Sequence, residues 1–278
     1  MLSFFPLTVK KCNNSSMSLA TQTPVAVNPV SVEGLSWVEV ENGVFQRCMF
    51  GGEASASFNQ NVADGHTEIS AYLRLQTTLP NKKLIQRIRN AWLYTRIHNP
   101  EISIEMSTEA VVPQIFTYRI PQTQAEIDAW MEETLVFETE RNIETMLDNI
   151  VNRKLTTQGK RSMMIVVLNG DATHGEPVDH DYIWNVSHAA GDVYSFTTYL
   201  NCFSDALVRV PDDHDLNILT SSDKATTLRR LPCAMLPSYL AKYQPSPVEV
   251  EAAVKVAEAQ MALLAAKVNL HTQRGRSG

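Results

Sequence analysis

Asp181-Tyr-Ile-Trp-Asn-Val-Ser-His188-Ala-Ala-Gly-Asp192 is the stretch of sequence that decides the fold. Aromatic and β-branched residues dominate positions 181–187, which predicts a strand. Beyond this stretch, apolar residues recur at helical spacing and predict a helix. These apolar residues are Val193, Phe196, Leu200 and Phe203. We therefore expect His188 where a strand ends and Asp192 where a helix begins.

The residues alone leave two interpretations of His188 and Asp192. In the first, His188 is a general base, because an imidazole with an ordinary pKa of about 6.5 can accept a proton at cellular pH. The end of a strand would hold that base in a fixed position, and a turn would leave its side chain accessible to substrate. In the second, Asp192 is an ordinary helix N-cap, a position that favours aspartate, and His188 is a hydrogen-bonded core residue.

The spacing His188-x-x-x-Asp192 resembles the signature of the acyl-CoA-dependent acyltransferase superfamily, which includes chloramphenicol acetyltransferase, plant BAHD enzymes and peptide-synthetase condensation domains. Upstream, residues 84–100 resemble the early helix of that family, which runs into a turn at Pro100. Residues 101–105 should then form a strand. Among family members, the sequence looks most similar to fungal proteins such as the trichothecene acetyltransferases.

The sequence departs from the family pattern at several points. Val193 replaces the glycine that commonly follows the aspartate, and Ser187 stands where condensation domains often carry a second histidine. Family members contain a second lobe with an Asp-Phe-Gly-Trp-Gly-like motif, which this sequence lacks. The resemblance covers residues 31–270 and implies the first lobe only.

The resemblance implies a function and the roles of two residues. His188 would be the base that activates a hydroxyl or amine of a small, secondary-metabolite-like acceptor for direct attack on acyl-CoA, with acetyl-CoA as the favoured donor. Asp192 would fix the loop through a salt bridge to an arginine. Acyl-CoA would be a co-substrate, with no bound cofactor. A chain with one lobe would be a truncated acyltransferase that is inactive alone, or would be completed by a second lobe from another chain. The alternative is a non-enzymatic acyltransferase-derived binding or interaction protein.

Alternating strand and helix patterns predict an α/β (α+β) fold, with a mixed sheet and flanking helices. The continuous apolar run 163–168 predicts a central strand beside the strand that ends at Ser187. We expect residues 31–240 to form this lobe and residues 245–270 to form a connector helix capped by Ser246. Residues 1–30 and 271–278 lack apolar periodicity and are predicted to be disordered tails.

Composition and net charge limit the classes of binding partner and the cellular compartment that we expect for this protein. The net charge of −6 over 278 residues gives no general attraction to nucleic acid or anionic membrane. No apolar run reaches the roughly 18 residues of a transmembrane helix, and the apolar N-terminal stretch fits a secretory signal poorly. Translation could start at Met1 or Met17. Four scattered cysteines indicate reduced thiols, so we expect a cytoplasmic protein.

Histidines and aspartates are concentrated between positions 171 and 188. They are His174, His180 and His188, with Asp171, Asp179 and Asp181. Their spacing places no compact ligand set on one helix, and alternation along a strand would separate neighbours. The sequence therefore predicts no metal site.

Overall fold

The computed structural model describes residues 35–62, 68–106, 114–139, 142–151, 162–172, 175–210 and 224–232, together with 246, 248, 249, 251, 252 and 255. Contacts group the chain into one unit of residues 1–5 and 31–234, and another of residues 6–30 and 235–278. The strands and helices with defined bounds all lie in the first unit.

Eight strands and six helices are defined within the described residues. In chain order they are β1 (Val38–Glu41), β2 (Val44–Cys48), α1 (Gly52–Val62), β3 (Ile69–Thr77), α2 (Asn81–His98), β4 (Glu105–Met106), β5 (Ile115–Arg119), α3 (Gln124–Thr134), β6 (Leu135–Thr139), α4 (Ile143–Val151), β7 (Ser162–Leu168), β8 (Val178–Val186), α5 (Val193–Arg209) and α6 (Lys224–Arg230). A 3₁₀ turn covers Pro100–Ser103.

The larger core is built on a four-stranded sheet in the order β3, β8, β7, β6, called the main sheet below. β8 runs antiparallel to both β3 and β7, whereas β6 and β7 are parallel. The mixed sheet is therefore confirmed, and so is the central position of the strand that leads to His188. This placement follows from burial, because a central strand must be apolar on both faces.

Helices cover both faces of the main sheet. On one face α2 and α5 bury an aromatic cluster, in which the rings of Trp92 and Trp184 meet edge to face with centroids 4.9 Å apart. On the other face Met146 of α4 packs on Ile165 and Ile183. Each aromatic ring removes a large apolar area from water, so these layers hold β8 firmly.

A second sheet has the order β1, β2, β5, β4 and is antiparallel throughout. Its core contains Phe45, Met106 and Phe116, and these pack against Leu231 and Ala189. Ala189 belongs to the turn that follows β8. The turn that follows β8 in the main sheet is therefore part of the core of the second sheet.

Two predicted elements differ from those in the structure. The predicted strand at 101–105 is mostly the 3₁₀ turn that starts at Pro100, because proline suits the first position of a helical turn. Of this segment, only Glu105 belongs to a strand, the two-residue β4 that it forms with Met106. The apolar spacing of Ile143, Met146, Leu147 and Ile150 predicts a helix over residues 138–151. That helix is present but begins at Ile143, since Glu138 pairs with Val167 in the parallel ladder of β6 and β7.

Near the C-terminal end, the predicted capping box is present at Ser246. The amide of Glu249 donates to the Ser246 hydroxyl at 3.4 Å, and the Ser246 amide donates to the Glu249 carboxylate at 2.8 Å. Residues 248, 249, 251, 252 and 255 are helical. The rest of the predicted connector helix and both predicted tails lie outside the described residues, so the domain boundaries stay predictions. In the part of the chain that is described, no helix is long and apolar enough to cross a membrane.

Candidate functional site

A short turn joins β8 to α5 and carries His188. The amide of Ala190 donates to the carbonyl of Ser187 at 3.2 Å, which closes the turn. The hydroxyl of Ser187 accepts from the amide of Ala189 at 3.3 Å. Serine is favoured in such turns because its hydroxyl can bind a backbone group two residues away. The strand β8 therefore ends at Val186 for a local chemical reason, because the next residue, Ser187, begins this turn.

The turn is anchored to the second sheet. Ser187 is completely buried, and its hydroxyl lies 3.5 Å from the sulfur of Met106. Ala189 is 3% exposed and packs in the core of that sheet. His188, between these two buried residues, is exposed. Burial of both neighbours holds the backbone while the imidazole reaches solvent, so His188 is not the core residue of the second interpretation.

The imidazole of His188 is oriented by the backbone. Its Nδ1 lies 3.2 Å from the carbonyl oxygen of Gly191. A carbonyl can only accept a hydrogen bond, so the neutral ring makes this bond with the proton on Nδ1. The lone pair is then on Nε2, the nitrogen that the Gly191 carbonyl does not bind. This is the tautomer that a general base acting through Nε2 requires.

Asp192 is the N-cap of α5. Its carboxylate accepts from the amide of Ser195 at 2.8 Å. Hydrogen bonds from the amide and hydroxyl of Ser195 hold the pKa of the Asp192 carboxyl below its ordinary value. Among the described residues no arginine pairs with Asp192, so the salt bridge implied by the resemblance is not formed there. Nor does a hydrogen bond join this carboxylate to His188 within the described structure.

Apolar side chains follow Asp192 along the chain and remain in solvent. Val193 is 57% exposed and Tyr194 is 83% exposed, both in the first turn of α5. Exposed apolar groups near a reactive side chain are candidates for contact with a ligand or another protein surface. Val193 stands where the family commonly has a glycine, and no sequence pattern pointed to Tyr194.

A buried carboxylate, Asp181, lies earlier on β8. It accepts from Tyr72 Oη at 2.5 Å, Arg74 Nε at 2.7 Å and Asn169 Nδ2 at 2.8 Å. Burial raises the pKa of the Asp181 carboxyl, but hydrogen bonds from Arg74, Tyr72 and Asn169 outweigh burial and leave that pKa below its ordinary value. Asp181 is thus a satisfied structural group of the main sheet.

The histidines and aspartates that were considered for a metal do not gather. His180 is completely buried, and among the described residues neither of its ring nitrogens has a hydrogen-bond partner. Asp181 points to the opposite face of the same strand, since side chains alternate along it. His174 lies outside the described residues. Among those described, no group of three or more histidine, cysteine, aspartate or glutamate side chains is placed to hold a metal ion.

Comparison with known sequences shows what this chain is related to. No family model matches it. The acyl-CoA-dependent acyltransferase MAC1 of Pseudozyma antarctica (strain T-34) is 32% identical over 255 residues, which cover 85% of this chain and 46% of that protein. The acyl-CoA-dependent acyltransferase MAC1 of Mycosarcoma maydis is 32% identical over 265 residues, covering 87% and 44%. The chain is a homologue of fungal acyl-CoA-dependent acyltransferases. The resemblance to acyl-CoA-dependent acyltransferases is confirmed, and the chain spans about half the length of the curated relatives it matches.

A solved structure shows the same fold. The trichothecene 15-O-acetyltransferase TRI3 from Fusarium sporotrichioides superposes with a TM-score of 0.61 at 15% identity, covering 87% of this chain and 50% of that one. At this identity the likeness concerns the fold alone. The predicted acyltransferase-like α/β fold is confirmed.

Proposed function

We propose that this chain carries the general base of an acyl-CoA-dependent acyltransferase, which transfers an acyl group, chiefly acetyl, to a hydroxyl or amine of a small acceptor. The observation that carries the proposal is the imidazole of His188. It is exposed on a rigid turn, and its Nδ1 is bound to the Gly191 carbonyl. The homologous acyl-CoA-dependent acyltransferases support the use of acyl-CoA as co-substrate.

The chemistry follows from the orientation of the ring. Nε2 of His188 takes the proton from the acceptor as its oxygen or nitrogen attacks the thioester carbonyl. The carbon–sulfur bond then breaks, the acyl group stays on the acceptor, and the CoA sulfur takes the proton back from the imidazolium. General-base action of this kind contributes about 10²- to 10⁴-fold in rate. Positioning the two substrates contributes more.

A second lobe is part of this proposal. The curated relatives contain about as much chain again as they share with this one. We propose that a second lobe, like the part of those relatives that this chain does not match, completes the site, working in the cytoplasm where the chain is expected. The exposed side chains of Val193 and Tyr194 offer apolar surface that a small acceptor or this lobe would cover.

The experiment follows the release of CoA thiol from acetyl-CoA with a panel of small alcohols and amines. The full chain is assayed alone and together with the part of Mycosarcoma maydis MAC1 that it does not match. The proposal expects acceptor-dependent release with the added polypeptide, and its loss in the His188→Ala variant. No release in either arrangement would favour the non-enzymatic alternative, a binding protein derived from an acyltransferase.

A further inference from the structure

We infer that Val193 is a specificity-determining residue of the acceptor site, where its side chain forms an apolar wall beside the imidazole of His188. This wall favours acceptors whose reacting hydroxyl or amine is on an unbranched carbon. The inference rests on the proposed function for its catalytic meaning. Its structural content is the position of Val193 at the start of α5.

Val193 lies on the side of α5 that faces the main sheet. It precedes Phe196 by one helical turn and Leu200 by two, and both of these residues pack in the aromatic core of that sheet. Residues seven apart lie on the same side of a helix. Phe196 is nevertheless 5% exposed and Val193 57% exposed. Val193 is therefore uncovered because the core ends before it, and not because it points away from the sheet.

Ring contacts show where the core ends along α5. The ring centroids of Tyr182 and Phe203 are 6.4 Å apart, and those of Trp184 and Phe196 are 5.3 Å apart. The helix therefore runs back along β8 in the opposite direction, so its start lies beside the end of the strand. Val193 is about 4.5 Å further along the helix axis than Phe196, which takes it past Trp184 towards the turn that follows β8.

The imidazole of His188 lies close to the same end of α5. Its Nδ1 is 3.2 Å from the carbonyl oxygen of Gly191. The Cα atoms of Gly191 and Val193 are at most about 7.6 Å apart, because only two peptide units join them. Side chains on a helix also lean towards its N-terminus, so the valine leans towards the turn. Val193 thus borders the space around the base.

A valine at this position gives that space a fixed and apolar boundary. Its two methyl groups cannot form hydrogen bonds, and a β-branched side chain in a helix keeps one strongly preferred rotamer. The acceptor is the reactant whose attacking atom must come within hydrogen-bond distance of Nε2 of His188. The carbon bonded to that atom is therefore the part of the acceptor nearest to the wall. A branch on this carbon is the feature that the valine disfavours.

Three variants test the wall. Val193→Ala removes two methyl groups, and Val193→Ile adds one and keeps the branched shape. Tyr194→Ala is the matched control, because Tyr194 is 83% exposed and lies on the outer side of α5, four residues before exposed Thr198. Both positions are exposed, so all three variants should fold like the parent, which thermal unfolding checks.

The first readout needs no acyl transfer. In the full chain, Nε2 of His188 displaces bromide from bromoacetamide, or from 2-bromopropanamide, which has one more methyl group on the reacting carbon. Mass spectrometry of proteolytic peptides gives both rates, and exposed His98 in the same sample gives the intrinsic ratio of the two reagents. The parent should disfavour the branched reagent about 10-fold more at His188 than at His98, as one carbon does in a close-fitting apolar site.

The variants should change this excess discrimination in opposite directions. Val193→Ala should remove most of it, Val193→Ile should increase it, and Tyr194→Ala should leave it at the parental value. Parental discrimination in Val193→Ala would overturn the inference, and so would its loss in Tyr194→Ala.

The second readout is CoA release with two isomeric acceptors, 2-phenylethanol and 1-phenylethanol. The assay uses the chain alone or with the added MAC1 polypeptide, whichever transfers acetyl groups. Only 1-phenylethanol carries its hydroxyl on a branched carbon. Val193→Ala should raise kcat/KM for 1-phenylethanol relative to 2-phenylethanol about 10-fold, whereas Tyr194→Ala should keep the parental ratio.

The two readouts separate this inference from the proposed function. An unchanged isomer ratio in an active Val193→Ala variant would overturn the inference, because the wall would then not meet the acceptor. If alkylation of His188 depends on Val193 and even the parent transfers no acyl group, the wall beside the imidazole stands and the proposed function fails.

Discussion

The hydroxyl of Ser187 lies 3.5 Å from the sulfur of Met106, and this contact joins the end of the central strand of the main sheet to the second sheet. The same hydroxyl accepts from the amide of Ala189, which is also buried. Position 188 is therefore held between two sheets. A loop fixed at one end only would let the imidazole move.

Ser187→Ala should destabilise the protein and disturb the turn. The Ala189 amide would lose its acceptor inside the core, and leaving a buried donor unpaired costs about 1–3 kcal/mol. The free energy of unfolding can be measured in urea by tryptophan fluorescence. Ser55→Ala is the control, because Ser55 is exposed on α1 and its removal should change stability by less than about 0.5 kcal/mol. Equal stability of the two variants would contradict the role of the Ser187 hydroxyl.

Asp181→Asn should also lower stability, in a manner that depends on pH. The folded state holds the pKa of the Asp181 carboxyl below its ordinary value through Arg74, Tyr72 and Asn169. The stabilisation is therefore present above the unfolded pKa of about 3.9 and is lost as pH falls through the folded value. The difference in unfolding free energy between parent and variant should be large at pH 7 and shrink in acid. Asp179→Asn, at an exposed position on the same face, should show little difference. A gap that persists unchanged in acid would contradict this account.

His180 should make the protein less stable in mild acid. Burial lowers the pKa of this histidine, so the folded state keeps it neutral. The free energy of unfolding is therefore unaffected by protonation of this histidine above its unfolded pKa of about 6.5. Below that pH the free energy of unfolding falls, because the unfolded chain binds a proton at His180 more readily than the folded chain does. The slope is at most about 1.4 kcal/mol per pH unit for one proton.

His180→Leu provides the test of that acid sensitivity. Both ring nitrogens of His180 are buried and have no hydrogen-bond partner in the part of the chain that the structure describes, so a leucine of similar volume removes no hydrogen bond seen there. Thermal unfolding at pH 8 and pH 5.5 should show a smaller acid-induced drop in the variant than in the parent. His98→Leu, at an exposed histidine, should keep the parental drop. An unchanged drop in His180→Leu would assign the acid sensitivity to other groups.

Much of the fold could be predicted because it depends on local patterns. The two-sided apolar character of 163–168 and 181–187 was sufficient to place β7 and β8 together at the centre of a sheet. Helical spacing from Val193 onward was sufficient to place Asp192 at a helix start. Both signals are patterns of apolar residues within a short stretch of sequence, so they can be seen without knowing which distant segments pair.

The remaining features depend on pairing between distant segments and on backbone direction. The contact of Met106 with Ser187 joins strands 81 residues apart, and no periodicity reports it. The bond from His188 to the Gly191 carbonyl depends on the orientation of one peptide group. The helical turn at Pro100 replaced an expected strand, because proline suited the start of a turn and apolar Ile102 could be buried without a strand partner. The cap at Asp192 was one of the two interpretations, and the sequence could not show that it coexists with an exposed His188.

The central claim, that His188 is the general base, is tested most directly by adding free imidazole to a His188→Ala variant. The assay uses the chain alone or the chain with the added MAC1 polypeptide, whichever of the two transfers acetyl groups. The account predicts that this substitution lowers CoA release by about 10²- to 10⁴-fold, and that added imidazole restores part of the rate because the position is open to solvent. His98→Ala is the matched control, since His98 is also exposed and its Nδ1 lies 3.0 Å from the carbonyl of Tyr94. It should keep the parental rate and not respond to imidazole. A parental rate in His188→Ala would contradict the assignment of His188 as the general base.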